Sequence, residues 1–426
     1  MTFNSGFATR DRNTIILLQY VMRLSSIPNL LLVNYGSTMV QALITGEVLR
    51  WARLRAGASV DAVAEKLKVS RDDVEDWEES RSRPSFAKAR IVAKYLRVPF
   101  GYLFLERPPI ETVSIPDLRR IGGEPVESLG PDFYDVYQDA LAKQDWYRDF
   151  LLQQGAQALS YVGSCTLRDN PAAVAADMRA ILSVTPEWRR NTANWEAMFR
   201  GLVAKTEEVG TLVLRNSIVG NNTHRALSVQ EFRGFALSDP IAPLVFINSG
   251  DAAAAQIFSL AHELSHIWLN VSAISNFGLS RAAGVYDPLE VFCNKVAAEF
   301  LVSRVEFLEL WRQGQSLEQN VNALSREFRV STLVIARRAL DLGQITRDDF
   351  VLFSARAAEA REPAQDAETQ RGGPDFYTLS KMRNSPTFAR AVLNEAFEGR
   401  LLLRDAGQLL SVKPDKLKQL ARKLEA

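Results

Sequence analysis

Two of the three histidines in this 426-residue chain stand four positions apart, in the string A-H-E-L-S-H-I at 261–267. On an α-helix a step of four is about 400°, a net rotation of about 40°, so His262 and His266 point the same way and can grip one zinc ion. Glu263 lies beside that face, where its carboxylate can take a proton from water without being a ligand. The neighbours Ile257, Phe258, Leu260, Leu264, Ile267 and Trp268 are apolar. The helix must therefore run through a core, and the fold must bring it a third ligand, because a catalytic zinc takes three protein ligands and keeps one position open. His224, Glu290 and Glu299 are the candidates. Glu290 and Glu299 are nine residues apart, about half a turn out of phase, so both cannot face one ion. Spacing alone leaves the choice open. Asn294, one turn after Glu290, is placed to hydrogen-bond a ligand histidine. His224 and Tyr286 are the nearest residues by sequence that could donate to an oxyanion.

Composition narrows the class. With 51 basic and 50 acidic residues the net charge is +1, so any nucleic-acid affinity rests on local patches. Two cysteines, Cys165 and Cys293, make no disulfide framework and point to a reducing, cytoplasmic setting. The apolar runs near the N-terminus fall short of the roughly 20 residues that span a bilayer, and no clean cleavage site follows them. No membrane partner is expected. Length suggests two to four domains.

Periodicity divides the chain. Residues 1–44 read as an N-terminal extension, with Met39 an alternative start to Met1. Residues 45–108 hold five short helices with a tight turn between the second and third, a helix-turn-helix pattern. Residues 109–353 begin with helices at 131–154, 172–182 and 195–209. The pattern then shifts to strands at 211–215, 226–237 and 242–247, and returns to helices at 252–270, at 289–301 and on to about 342. The 242–248 strand is expected at a sheet edge, where an extended substrate could pair with it. Residues 354–374 contain no aromatic, Leu, Ile or Val, and so read as a flexible linker. Residues 375–426, with 10 basic and 6 acidic residues, return to a helical pattern and read as a small C-terminal domain. The fold class expected is mainly α with a small β-sheet, α+β, with no long internal repeat.

The strings E-F-R-G-F at 231–235, A-P-L-V-F-I-N at 242–248, F-S-L-A-H-E-L-S-H-I-W at 258–268 and E-V-F-C-N-K-V-A-A-E-F-L at 290–301 resemble the ImmA/IrrE family of zinc metallopeptidases. The resemblance implies a zincin-like, gluzincin-type domain. In it His262, His266 and Glu290 are zinc ligands and Glu263 is the general base. Cys293 stands where the family usually has Ala, and Ser303 where it has Pro; neither removes a ligand. Residues 49–103 resemble the XRE (Cro-type) helix-turn-helix in A-G-A-S-V-D-A-V-A-E-K-L-K-V-S at 56–70, V-E-D-W-E-E at 74–79, R-P-S-F at 83–86 and L-R-V-P at 96–99. Such a module reads DNA with its third helix. Here that helix offers Arg71, Asp72, Asp73, Glu75 and Asp76, one base against four acids, net −3. A polyanion should be repelled, so a protein partner or a second copy of the chain is the expected contact, with a homodimer one form of it and DNA the alternative, through bases such as Arg50, Arg53 and Arg55. A second such stretch at 324–340 is expected to be structural. The function implied is a zinc endopeptidase acting on a regulatory protein, a repressor or a toxin or regulator encoded nearby. The alternative is a non-proteolytic regulator or antitoxin using the same domains as a scaffold.

Overall fold

The computed structural model describes residues 41–109, 120–121, 124–125, 129–275, 287–359 and 376–425. Nearly all of the 1–44 extension, Tyr286 and most of the expected linker lie outside these residues. The chain forms two compact units that divide between residues 112 and 113.

In the first unit, α1 (Gly46–Arg55), α2 (Val60–Leu67), α3 (Arg71–Glu78), α4 (Phe86–Tyr95) and a 3-10 turn (Phe100–Phe104) give the five expected elements. Serines start three of them. Ser59, Ser70 and Ser85 each accept the N–H three residues on, satisfying donors that a helix start leaves open. Leu49, Ala52, Val63, Val74, Val92, Leu96 and Leu103 fill the core. The buried Glu78 carboxylate is held by Arg53 at 2.6 and 2.8 Å, pairing α3 with α1.

The second unit is built on a four-stranded sheet. Its strands are β1 (Leu212–Asn216), β4 (Gly234–Leu237), β5 (Leu244–Asn248) and β6 (Ala273–Ser275), in the order β1-β5-β4-β6. Only the β1–β5 pair is parallel. A separate hairpin, β2 (Ile218–Val219) with β3 (Asn222–Ala226), precedes β4. The single strand expected over 226–237 is thus two strands, parted by a turn in which Glu231 and Phe232 donate to the Ser228 carbonyl. β5 is not an edge. It is bonded on both sides and buried along its whole length, which bars a substrate from pairing there.

Side chains alternate across a strand, and the two faces of this sheet take different covers. Val213, Ala236, Val245 and Ile247 face a helical layer formed by α6 (Pro171–Ile181), α8 (Trp195–Glu208), α9 (Ala253–Trp268), α10 (Pro288–Leu301), α12 (Leu317–Phe328) and α13 (Thr332–Asp341). Short helices α7 (Pro186–Asn191) and α11 (Arg304–Leu310) complete that layer. Leu212, Leu214, Phe235, Leu244, Phe246 and Ile274 face α5 (Pro131–Gln153) and the C-terminal helices. Gln144 of α5 donates to the carbonyls of Leu237 and Ala242, both at 2.9 Å.

The C-terminal region is helical, as its pattern implies. Helix α14 (Arg347–Glu359) runs into the first residues of the expected linker. The helices α15 (Phe376–Asn384), α16 (Pro386–Phe397), α17 (Leu403–Leu409) and α18 (Leu417–Glu425) follow, and they pack on α5. Phe388 meets Trp146 and Tyr147 of α5 at ring-centroid distances of 5.6 and 6.1 Å, inside the cluster that covers the sheet. An amphipathic pattern shows which face of a helix is buried but not what covers it.

One turn recurs through both units. Lys68, Arg97, Ser183, Arg329 and Ser411 all adopt left-handed φ of 52 to 58°. Each is followed by a valine whose N–H bonds the carbonyl five residues earlier, as Val69 does to Ala64 at 3.1 Å and Val412 to Gly407 at 2.9 Å. The bond satisfies carbonyls that a helix end leaves open.

Candidate active site

The centre lies where α9 and α10 pack together behind the sheet. Asp287 caps α10 by accepting from Leu289 at 2.8 Å, and Pro288 opens the helix with φ already suited to it. This sets Glu290 in the first turn, against the histidine face of α9. The His262 and His266 Nε2 atoms are 3.1 Å apart, and each lies 3.3 Å from a Glu290 carboxylate oxygen. All three residues are buried. Ligands of a tetrahedral zinc at about 2.0–2.1 Å stand about 3.3 Å from one another, which this triangle matches. The group could hold a metal ion. Burial lowers the His266 pKa, favouring the neutral imidazole that a metal requires. Burial also works against the Glu290 charge, but the two histidines outweigh it and hold that carboxyl well below the usual range.

Glu263 is fully buried, and neither of its oxygens has a well-formed hydrogen bond. Burial pushes its carboxyl well above the ordinary range; the Glu290 charge adds to this, and the Ser275 hydroxyl of β6 partly offsets it. Room for the side chain comes from Gly234 at the start of β4. A Cβ there would stand 2.8 Å from Glu263 Oε1 and 2.9 Å from the Phe246 carbonyl.

The remaining candidates separate. Glu299, half a turn from Glu290, pairs with the buried Arg338 and accepts from the Arg304 N–H at 3.1 Å, away from the metal group. His224 is exposed on β3. Tyr286 is outside the described residues. Asn294 is half-buried, and the group found beside one of the two histidines is its neighbour, the Cys293 thiol, 3.6 Å from His266 Nδ1. Gly234, Ser275 and Cys293 are the site residues that the sequence reading did not assign. The glycine in E-F-R-G-F was the available signal, but its meaning depends on a helix that lies far along the chain.

The third helix of the first unit keeps its acidic surface. Arg71 is drawn to Asp61 at 3.0 Å and Glu75 at 2.8 Å, and Asp76 binds Arg81 at 2.7 Å. Asp73 closes a capping box with Ser70, and Asp72 is exposed.

Among known families, residues 206–340 match the IrrE N-terminal-like domain of a peptidase family and residues 45–100 a helix-turn-helix domain, in the order that the resemblance implied. Residues 384–423 match a domain of unknown function. Compared with curated proteins and with solved structures, the chain finds no match. No helix among the described residues is long and apolar enough to cross a membrane.

Proposed function

From a chain that carries an IrrE N-terminal-like peptidase domain after a helix-turn-helix domain, we propose a zinc-dependent endopeptidase. It cuts a peptide bond in a regulatory protein, a repressor or a toxin or regulator encoded nearby, and so controls transcription or a stress response in the cytoplasm. His262, His266 and Glu290 would hold the zinc. Bound there, zinc would act as a Lewis acid, polarising the scissile carbonyl and making the attacking water more acidic.

The rest falls to the chain's own side chains. Glu263 accepts a proton from the water as its oxygen bonds to the carbonyl carbon. It then passes that proton to the leaving amine as the C–N bond breaks. Its buried surroundings keep bulk water from competing for the proton, and Gly234 leaves the carboxylate free to move. An extended substrate segment is best received along β6, which among the described residues stands at one edge of the sheet and carries Ser275 on the Glu263 side.

The observation that carries this reading is the buried Glu263 carboxyl without a well-formed hydrogen bond. Leaving such a group unsatisfied costs about 1–3 kcal/mol, and a domain used only as a scaffold gains nothing in return. Glu263→Gln is therefore expected to keep the fold and the metal but lose cleavage of a partner co-expressed from the neighbouring genes. Equal biological activity of the two proteins would transfer support to the non-proteolytic scaffold.

A further inference from the structure

The turn between α2 and α3 of the first unit, which recurs elsewhere in the chain, also joins two C-terminal helices, here with a third helix packed on both. In α2–α3, the Ala64 carbonyl receives the Val69 N–H, Lys68 takes the left-handed turn, and a new helix starts after Ser70. In α17–α18 the Gly407 carbonyl receives the Val412 N–H, Ser411 takes the left-handed turn, and a 3-10 turn (Pro414–Lys416) leads into α18 after Lys413. The small residue is obligatory here, since a Cβ on Gly407 would stand 2.7 Å from the Val412 carbonyl. α16 packs against both α17 and α18, as the first helix of such a unit does.

The two third helices differ in charge. Where α3 sets one base against five acids, net −4, the segment 413–425 sets Lys413, Lys416, Lys418, Arg422 and Lys423 against Asp415 and Glu425, five bases against two acids, net +3. Leu417, Leu420 and Leu424 turn inward. All five bases are exposed, and among the described residues none enters an ion pair. The nearby Arg400 and Arg404 are, by contrast, occupied by Glu395, Glu398 and Asp405. Lys418 and Arg422 are one turn apart and lie on the same outward face.

We propose that α16–α18 form a second helix-turn-helix, and that α18, not α3, seats in the major groove of double-stranded DNA with Lys416, Lys418, Arg422 and Lys423 against phosphates. Nine residues give a helix about 14 Å long, suited to a groove about 12 Å wide. Gln419 already receives the Tyr377 hydroxyl at 2.5 Å, and the four bases are committed to phosphates, so no side chain of α18 is left to read a base edge. The attachment is therefore mainly to the backbone and only weakly sequence-dependent.

The test uses the full chain and a fluorescent random-sequence duplex of about 30 base pairs, titrated between about 50 and 200 mM salt. Four neutralised phosphates should give a log–log salt slope of about −3.6. Lys416→Gln, Lys418→Gln and Arg422→Gln together should weaken binding at least about tenfold and bring the slope to about −0.9, while Arg71→Ala leaves both unchanged. Glutamine keeps the helix and the exposed surface, and an unaltered melting curve verifies the fold. The proposal is overturned if the triple variant binds like wild type, or if Arg71→Ala is the change that abolishes binding. It is equally overturned if wild type ignores duplex but binds poly-glutamate or phosphatidylserine vesicles through these residues.

Discussion

Gly234 shows how much of the centre depends on a residue with no side chain. Adding a methyl there drives a Cβ into both Glu263 and the Phe246 carbonyl, so Gly234→Ala should cost about 1–3 kcal/mol of stability and most of the activity while all three metal-group residues remain. Denaturant unfolding and metal analysis together check it; undiminished activity would mean the Glu263 pocket is looser than drawn. Metal content separates the two candidate carboxylates. Glu290→Ala should lose far more zinc than Glu299→Ala, because Glu299 serves Arg338, and the reverse order would reassign the ligand. His262, Glu263 and His266 were legible in the sequence because helix geometry fixes their relation locally. The third carboxylate was not legible from spacing; the family resemblance was needed to favour it. Cys293 beside His266 was out of reach, because that contact depends on how two helices meet.

The helices were largely legible as elements, since caps and apolar spacing are local signals: the lead-in helix expected at 131–154 spans Pro131–Gln153. Strand placement was harder. β5 was read as an edge because it closely precedes α9, yet sheet order is decided by pairing between distant segments, and β1 and β4 both claim it. The recurring valine turns escaped notice because the residues entering the left-handed region are Lys, Arg, Ser and, before Val271, Asn270 rather than Gly. That geometry costs non-glycine residues about 1–2 kcal/mol. Lys68, exposed and at φ 52°, is the cleanest place to relieve it. After the added chain entropy of glycine is deducted, Lys68→Gly should stabilise the protein by about 0.5 kcal/mol, seen as a higher denaturant midpoint. A lower midpoint would show that the turn is not strained.

At the scale of the whole molecule, the C-terminal helices share a hydrophobic cluster with α5 and the sheet, a contact that the local pattern cannot name because a stretch without large apolar residues intervenes. Glu207 of α8 is one of the ties. It accepts from the Thr387 N–H at 3.2 Å and hydroxyl at 2.8 Å at the start of α16. Burial raises its carboxyl above the ordinary value, with hydrogen bonds from Ser385 and Thr387 partly offsetting that. The folded state thus favours the protonated form; the stabilisation is complete below the ordinary glutamate pKa and is lost as pH rises through the raised one. Glu207→Gln keeps an acceptor and removes the charge. Its stability relative to wild type should therefore improve between about pH 4 and about pH 8, and denaturant unfolding at both ends would expose the opposite trend.

The sheet with two covers has a consequence for descent. Phe235 and Phe246 point to the α5 and C-terminal side while Ala236 and Val245, their neighbours along the same strands, point to the metal side. A recombination event that exchanged the last 50 or so residues for another lineage's helices would thus have to replace the seat that Phe388 takes against Trp146 and Tyr147 of α5. The C-terminal helices and α5 are packed together, so a change of side-chain size on one side calls for compensation on the other.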